Sequence, residues 1–444
     1  MSMNKAPLFR LSVMMFLQYA VWGAWLPLAA RYLSASVEEG GLGFSGSDIG
    51  WIIGLAGSVG AITAPFIAGQ LSDRTFRTER VLAVMLAVGG FVKWVTATQT
   101  EVSAWMWLSI AYSVLYMPTL ALSNSLAFAH LDDGRKQFPI VRVWGTVGWI
   151  AASWIFPMIY LQSDLRFAWM PPFLTGPEVA GVTARLADSL RFSAMISWGY
   201  AVYCLTLPAT HPSREAAEPL AFTKAFALIK RPSFAVLVVV SLAVAAIHQV
   251  YFLQSGPYLS AKGLADAKLG PAFTVGQFSE ILVMAGLGVF LKGLGFRKVL
   301  FLGALAYGVR YWIWSMVDLD LDITIGSQVL HGVCYAFFFA AAYIYVDRLA
   351  EKDVRNSAQT VFGIIMLGGG PVLGGVLSGV LQERYADGAG TLDLDGFSSL
   401  WSVLAAIGFV AAVVLVAFFR DETQLQGEPE VEGDNPPLAE EAMA

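Results

Sequence analysis

The residues able to do chemistry in this chain are few, and each is embedded in an apolar run. Arg142 lies in FPIVRVWGTVGW, with Thr146 and Trp149 following at i+4 and i+7, so a guanidinium, a hydroxyl and a flat aromatic share one helical face. Glu280 lies in TVGQFSEILVMAG with Gln277 on its face one turn earlier. Burial in a low dielectric disfavours the charged form of a carboxyl, which makes Glu280 a candidate to load and release a proton. His331 and Tyr335 stand at i and i+4 in HGVCYAFFFAAAYIYVD, with Phe338 expected near the same face; a histidine there can relay a proton or donate to a ligand oxygen. Gln249 offers two donors and an acceptor, whereas its neighbour His248 points about 100° away. Arg310, in LAYGVRYW, is a candidate partner for Glu280. Plainer readings stand beside these: Arg142 snorkels to an interface, Glu280 belongs to a static ion pair, and His331 packs. Lys93 is expected to snorkel.

What must position these groups is a membrane protein. Of 444 residues, 57% are hydrophobic and 14% charged, with a mean hydropathy of +0.62; soluble chains carry about 25% charged residues. Such a composition excludes a secreted disulfide scaffold, a nucleic-acid binder and a disordered hub. Cys204 and Cys334 sit in apolar runs and suit buried small hydrophobes rather than a metal cluster. Apolar stretches fall at about 9–30, 49–71, 81–99, 104–130, 138–161, 192–208, 233–256, 273–291, 298–317, 324–346, 357–381 and 397–419. Each is near the length of about 20 residues that a hydrocarbon slab requires, so twelve transmembrane helices are expected. The first is longer than the h-region of a secretory signal and is read as a retained span.

The longest polar break, 209–231, carries Pro212 and Pro219, follows Pro208, and contains Phe222, Phe226, Leu228 and Ile229, which suggest a short interfacial helix. It divides an N-terminal bundle, 1–208, from a C-terminal one, 232–420, and an acidic tail, 421–444, is expected to be disordered. With both termini inside, the inner loops hold 18 Lys and Arg residues against seven outside, while Lys93, Arg142 and Arg310 lie within spans. Basic residues are retained in cytoplasmic loops, which places both ends in the cytoplasm. The two halves echo each other: span one runs from Gln18 through Tyr19, Trp22 and Trp25 to Pro27, and span seven from Gln249 through Tyr251 and Phe252 to Pro257. Interrupted helices in corresponding positions of two halves point to a transporter's central site, although proline kinks are also common in membrane helices.

The loop after span two, GQLSDRTFR (69–77), resembles the major facilitator signature G-x-L-x-D-R-x-G-R-R, with Phe76 in place of its second glycine. The resemblance implies two six-helix bundles rocking about a midplane cavity, and a cytoplasmic gate built from Gly69, Asp73, Arg74 and Arg77. Finer segments resemble the bacterial nucleoside:proton symporter family, in order along nearly the whole chain: FLQYAVWGAWLP (16–27), YMPTLALSNSLAF (116–128), FPIVRVWGTVGW (138–149), QFSEIL (277–282), HGVCYAFFF (331–339) and YIYVD (343–347). That likeness implies substrate and coupling positions at Arg142, Thr146, Gln249, Gln277 and Glu280, with Trp149 where the family often has phenylalanine. Two departures stand out, Ala336 where members commonly carry an acid and Phe252 where they carry a polar residue. The first leaves Glu280 as the main proton carrier.

The expectation is therefore an all-α membrane protein of the major facilitator fold that takes up nucleosides with protons by alternating access. Arg142, Thr146, Trp149, Gln249, Gln277, Tyr335, Gln18 and His331 are expected to bind substrate, and Glu280 with Arg310 to couple the proton. The rival within this class is a carrier of another polar solute, such as a sugar or oligosaccharide, uncoupled because Ala336 has replaced an acid. An enzyme is not expected, because His130, His211, His248 and His331 form neither a metal-ligand spacing nor a nucleophile motif; a sensor that binds without transport is a third class. No cofactor or metal beyond the coupling proton is expected. The expected partners are a small polar substrate and lipid, not nucleic acid, and the expected state is a monomer in the inner membrane.

Overall fold

A computed structural model describes residues 5–71, 76–132, 134–169, 173–210, 228–350, 355–387 and 390–422. Helices dominate because apolar side chains cover the backbone and a chain in hydrocarbon must satisfy its own N–H and C=O groups. Among the described residues, nine segments are long and apolar enough to cross a membrane. The segment Asp266–Ser315 is two helices in one, because Gly295 adopts φ 74° and breaks the helical path. Two further helices complete the series: Thr78–Thr96, which carries Glu79, Arg80 and Lys93, and the 17-residue Asp188–Cys204. In order, these elements fall on the twelve stretches read from the sequence. Between the fifth and sixth, Arg166–Phe167 pairs antiparallel with Leu174–Thr175 in a short hairpin.

The described chain separates into two compact units: residues 1–215 with 252–274, and residues 216–251 with 275–444. Within the first unit, span one (Lys5–Gly23) lies against span five (Gly134–Tyr160) at van der Waals contact of their backbones. Glycine makes this possible: a Cβ at Gly148 would come 2.0 Å from the carbonyl oxygen of Phe16, and one at Gly23 would come 2.6 Å from that of Trp149. Small residues play this part in membrane helices generally, since lipid-facing apolar side chains supply no net drive to associate. Ser153 donates to the Gly23 carbonyl and Ser193 to that of Val21, adding polar pins to the same packing.

Segment 252–274 belongs to the first unit through polar contacts around Asp266, which is 5% exposed. Its carboxylate accepts from Arg31 Nε at 2.9 Å, Ser260 Oγ at 3.0 Å and Thr183 Oγ1 at 3.0 Å. The Ala267 amide donates to Glu178 one residue further on. Elsewhere in the unit, Thr210 joins the end of span six to the start of span three and the end of span four: its amide donates to Glu79 and its hydroxyl meets His130 Nε2 at 2.8 Å.

In the second unit, spans nine and twelve cross where Gly308 and Gly408 meet, a Cβ at Gly408 coming 2.6 Å from the Gly308 nitrogen. Aromatic rings fill the neighbouring space, with Trp314 and Trp401 edge to face at 4.8 Å between centroids. Span ten departs from a regular helix, since the α-helical Leu330–Cys334 is followed by a π turn over Tyr335–Ala340.

The two halves echo each other differently from what the prolines suggest. Span one is interrupted at Trp25, where Lys5–Gly23 gives way to Leu26–Ser34 with Pro27 near its start. Span seven instead runs unbroken through Pro257 from Pro232 to Ala261. A proline removes one N–H, and in a membrane bundle neighbouring groups can re-satisfy the freed carbonyl without a break. What changes in span seven is allegiance: up to Tyr251 it belongs to the second unit and from Phe252 to the first. The expected interfacial helix lies largely outside the described residues, as does most of the acidic tail; only Leu228–Lys230 is seen, as a 3-10 turn.

Gly148→Ala should lower the melting temperature of the detergent-solubilised protein, the misfit costing about 1–3 kcal/mol. Gly199→Ala, whose Cβ would have nothing within 4 Å, should melt at or above the wild-type temperature in the same assay.

Candidate functional site

Each unit holds its own set of buried polar groups. In the first, Arg142 is 2% exposed and its guanidinium lies over the Tyr19 ring at 4.0 Å. Gly145 leaves it room, since a Cβ there would come 2.7 Å from Arg142 Nη1 and 2.6 Å from Tyr19 Cδ2. The Arg142 Nε has no hydrogen-bond partner, and neither does the indole nitrogen of Trp149, whose ring meets Trp22 edge to face at 5.8 Å. Thr146 is half-buried on the same helical face. Gln18 is fully buried and pinned: its Nε2 donates to Thr119 Oγ1 at 2.8 Å, and its backbone carbonyl accepts from Tyr116 at 2.6 Å. One atom of this residue, Oε1, is left without a partner.

Lys93 does not snorkel. It is 4% exposed, and its amine sits between two rings, 3.3 Å from the centroid of Trp25 and 3.7 Å from that of Tyr112. Two aromatic faces supply a favourable electrostatic seat for a cation away from water, so the side chain has no need to reach an interface. Helical spacing alone cannot show which ring faces which lysine.

The second unit gathers groups from spans seven to ten. His331, 2% exposed, lies with its Nδ1 3.0 Å from Arg310 Nη1 and its Nε2 3.8 Å from Glu280 Oε2. Arg310 therefore reaches Glu280 by way of His331. The guanidinium is fully buried, also donates to Gln328 Oε1, and lies over the Tyr251 ring at 3.9 Å. His248 meets the Tyr307 hydroxyl at 2.9 Å and stacks on His331 at 5.6 Å between centroids. Gln277 and Glu280 are 9% and 8% exposed, and Gln277 Oε1 has no hydrogen-bond partner. Gln249 is half-buried beside Gly374, where a Cβ would come 2.5 Å from its own.

Tyr335 is half-buried, with ring contacts to His331, His248 and Phe339. Phe339, rather than Phe338, shares that face, because the π turn over Tyr335–Ala340 carries more residues per turn than an α-helix. The sequence sets His248 aside as pointing away from Gln249, notes Tyr251 only in the echo between the halves, and passes over Gln328 and Tyr307; Gln328 stands three residues before His331 on the same helical face. Of the expected gate, Asp73 and Arg74 lie outside the described residues and Gly69 falls in the last turn of Ala56–Leu71. Arg77 takes an extended conformation and caps the helix Thr78–Thr96 without a side-chain hydrogen bond. Among the described residues, no group of His, Cys, Asp and Glu could hold a metal.

A family model described as "Nucleoside H+ symporter" matches residues 3–424. The chain belongs to the nucleoside H+ symporter family. It is 32% identical to the "Putative nucleoside transporter YegT" of Escherichia coli (strain K12) over 422 residues, covering 93% of each chain. It is also 26% identical to the xanthosine permease of the same organism, over 93% of this chain and 95% of that one. The solved structure of the nucleoside transporter NupG superposes with a TM-score of 0.77 at 24% identity, over 94% of this chain and all of that one. The fold is thus the major facilitator fold of that transporter. This symporter is a multi-pass membrane protein that carries nucleosides inward with protons and is not an enzyme.

For a symporter of this family, a permanently charged planar donor held over an aromatic ring is suited to meeting a ligand oxygen without rearranging. Lysine shares the charge and lacks the plane and the fork. Arg142→Lys is therefore expected to weaken nucleoside binding by about tenfold or more, measured by isothermal titration of the purified protein.

Proposed function

We propose that the nucleoside contacts of this chain include Arg142, Thr146 and Trp149, with Gln249, Gln277 and Tyr335 as further contacts, and that Glu280 loads the proton. One observation carries the assignment: buried polar atoms on three of these residues, Arg142 Nε, Trp149 Nε1 and Gln277 Oε1, have no hydrogen-bond partner. A buried polar atom left unpaired costs roughly 1–3 kcal/mol, so two donors and an acceptor kept in that condition are suited to a ligand that brings the complementary groups. A nucleoside does so, with ring nitrogens and carbonyls on its base, hydroxyls on its ribose, and a π face for Tyr335 and Trp149.

Glu280 is the coupling group because it is a buried carboxyl one helical turn from Gln277, and Ala336 leaves the span-ten motif without an acid. No cofactor takes part. Both termini lie on the cytoplasmic side of the bacterial inner membrane, following the distribution of basic residues. The protein works as a monomer.

The test is uptake of labelled uridine and adenosine into proteoliposomes under an inward proton gradient. Wild-type protein should concentrate nucleoside above equilibrium and lose that concentration on addition of a protonophore, with unlabelled disaccharides failing to compete. Glu280→Gln should abolish pH-driven concentration while retaining nucleoside exchange. Normal concentration by that variant would remove Glu280 from the coupling role.

A further inference from the structure

Span ten contributes a ring whose two nitrogens face different partners, and the chemistry of those partners fixes its state. Arg310 can only donate, so His331 Nδ1, 3.0 Å from Arg310 Nη1, is an acceptor. An imidazolium has no acceptor nitrogen, so the ring is neutral and its proton is on Nε2. That Nε2–H lies 3.8 Å from Glu280 Oε2. Gly276 and Gly332 bring the two helices together here: a Cβ at Gly276 would come 3.0 Å from His331 Cβ, and one at Gly332 would come 2.4 Å from Ser279 Oγ.

We propose that His331 is a positioning residue for proton coupling: Arg310 locks its tautomer so that an N–H is aimed at Glu280 and favours that carboxyl's ionised, proton-releasing form. The inference rests on Glu280 being the coupling group. The other titratable or charged neighbours of the ring are consistent with a single donor role. From span seven, His248 stacks on it and Tyr251 lies 5.8 Å away between centroids; span nine supplies Arg310, with Tyr307 reaching His248; Tyr335 approaches from span ten itself. Neither His248 nor the tyrosines offers a carboxylate that would draw the Nε2 proton elsewhere. Gln328 and the Tyr251 ring keep the guanidinium in place, so the orientation does not depend on His331 alone.

His331→Asn separates the two functions of the ring, since its amide oxygen can still accept from Arg310 while nothing extends to the Nε2 position. Uridine uptake into proteoliposomes is measured against external pH, with counterflow exchange in parallel. Removing the donor disfavours the carboxylate, so Glu280 keeps its proton to higher pH and the midpoint of the uptake profile should move upward by about one unit. His331→Gln, whose amide nitrogen reaches further, should return the midpoint towards wild type. A His331→Asn profile that superimposes on wild type, changed in amplitude only, would make His331 a packing residue and overturn the proposal.

The same measurements in a Glu280→Gln background separate this inference from the one beneath it. If Glu280→Gln alone still concentrates nucleoside normally, the coupling assignment itself fails, whatever the histidine variants do. If Glu280→Gln loses coupling and His331→Asn leaves the midpoint unmoved, only the positioning role fails. Should His331→Asn not fold, Arg310→Met provides the second variant: it removes the donor that fixes the tautomer, and an unshifted midpoint there also overturns the proposal.

Discussion

The structure depends on holding a cation in a hydrocarbon slab. A charged side chain at the centre of a membrane helix costs at least about 2.5–3.5 kcal/mol on insertion scales, and this chain places three basic ones deep within its spans. Each is seated on aromatic faces: Lys93 between Trp25 and Tyr112, Arg142 over Tyr19, Arg310 over Tyr251. Among the described residues, none of the three has a carboxylate within ion-pair distance. A ring face stabilises a cation without neutralising it. In Arg142 and Arg310 the charge is permanent, and the ring faces hold planar donors in fixed directions.

Close helix packing follows from the same constraint, because donors aimed over a ring need backbones that approach within a side chain's width. Glycine supplies that approach at Gly23, Gly148, Gly276 and Gly332, each at a point where one helix meets the backbone or β-carbon of another. The site residues lie beside these crossings: Trp149 next to Gly148, Gln277 next to Gly276, and His331 next to Gly332. Position in the sequence and position in the packing coincide, so a substitution that widens a crossing also displaces the group beside it.

Membership of the nucleoside H+ symporter family gives these arrangements a task. A substrate must be released as well as bound, and a coupling proton must leave as well as arrive, so neither can rest on an interaction that never breaks. On the proposed assignment, unpartnered donors and acceptors on Arg142, Trp149 and Gln277 leave room for a ligand to come and go. The 3.8 Å separation between His331 and Glu280 is longer than a formed hydrogen bond, which suits a contact that tightens in one state and relaxes in another.

Sequence alone carried the fold class, because apolar length against bilayer thickness is a one-dimensional property, and it carried the faces within single helices. Arg142, Thr146 and Trp149 are read from i+4 and i+7, and His331 with Tyr335 from i+4, since helical periodicity fixes which residues of one helix point together. It could not say what those faces meet. The Arg310 seat draws Tyr251, Gln328 and His331 from two other spans; Lys93 finds Trp25 and Tyr112 on two more; and Pro257 lies in an unbroken helix whose contacts change owner at Phe252. Periodicity gives the direction of a side chain about its own axis, whereas the rotation and crossing of one helix against another are set by the packing of all of them at once. The list of buried charges thus belongs to the sequence, and the linkage of Arg310 to Glu280 through one histidine belongs to the tertiary structure.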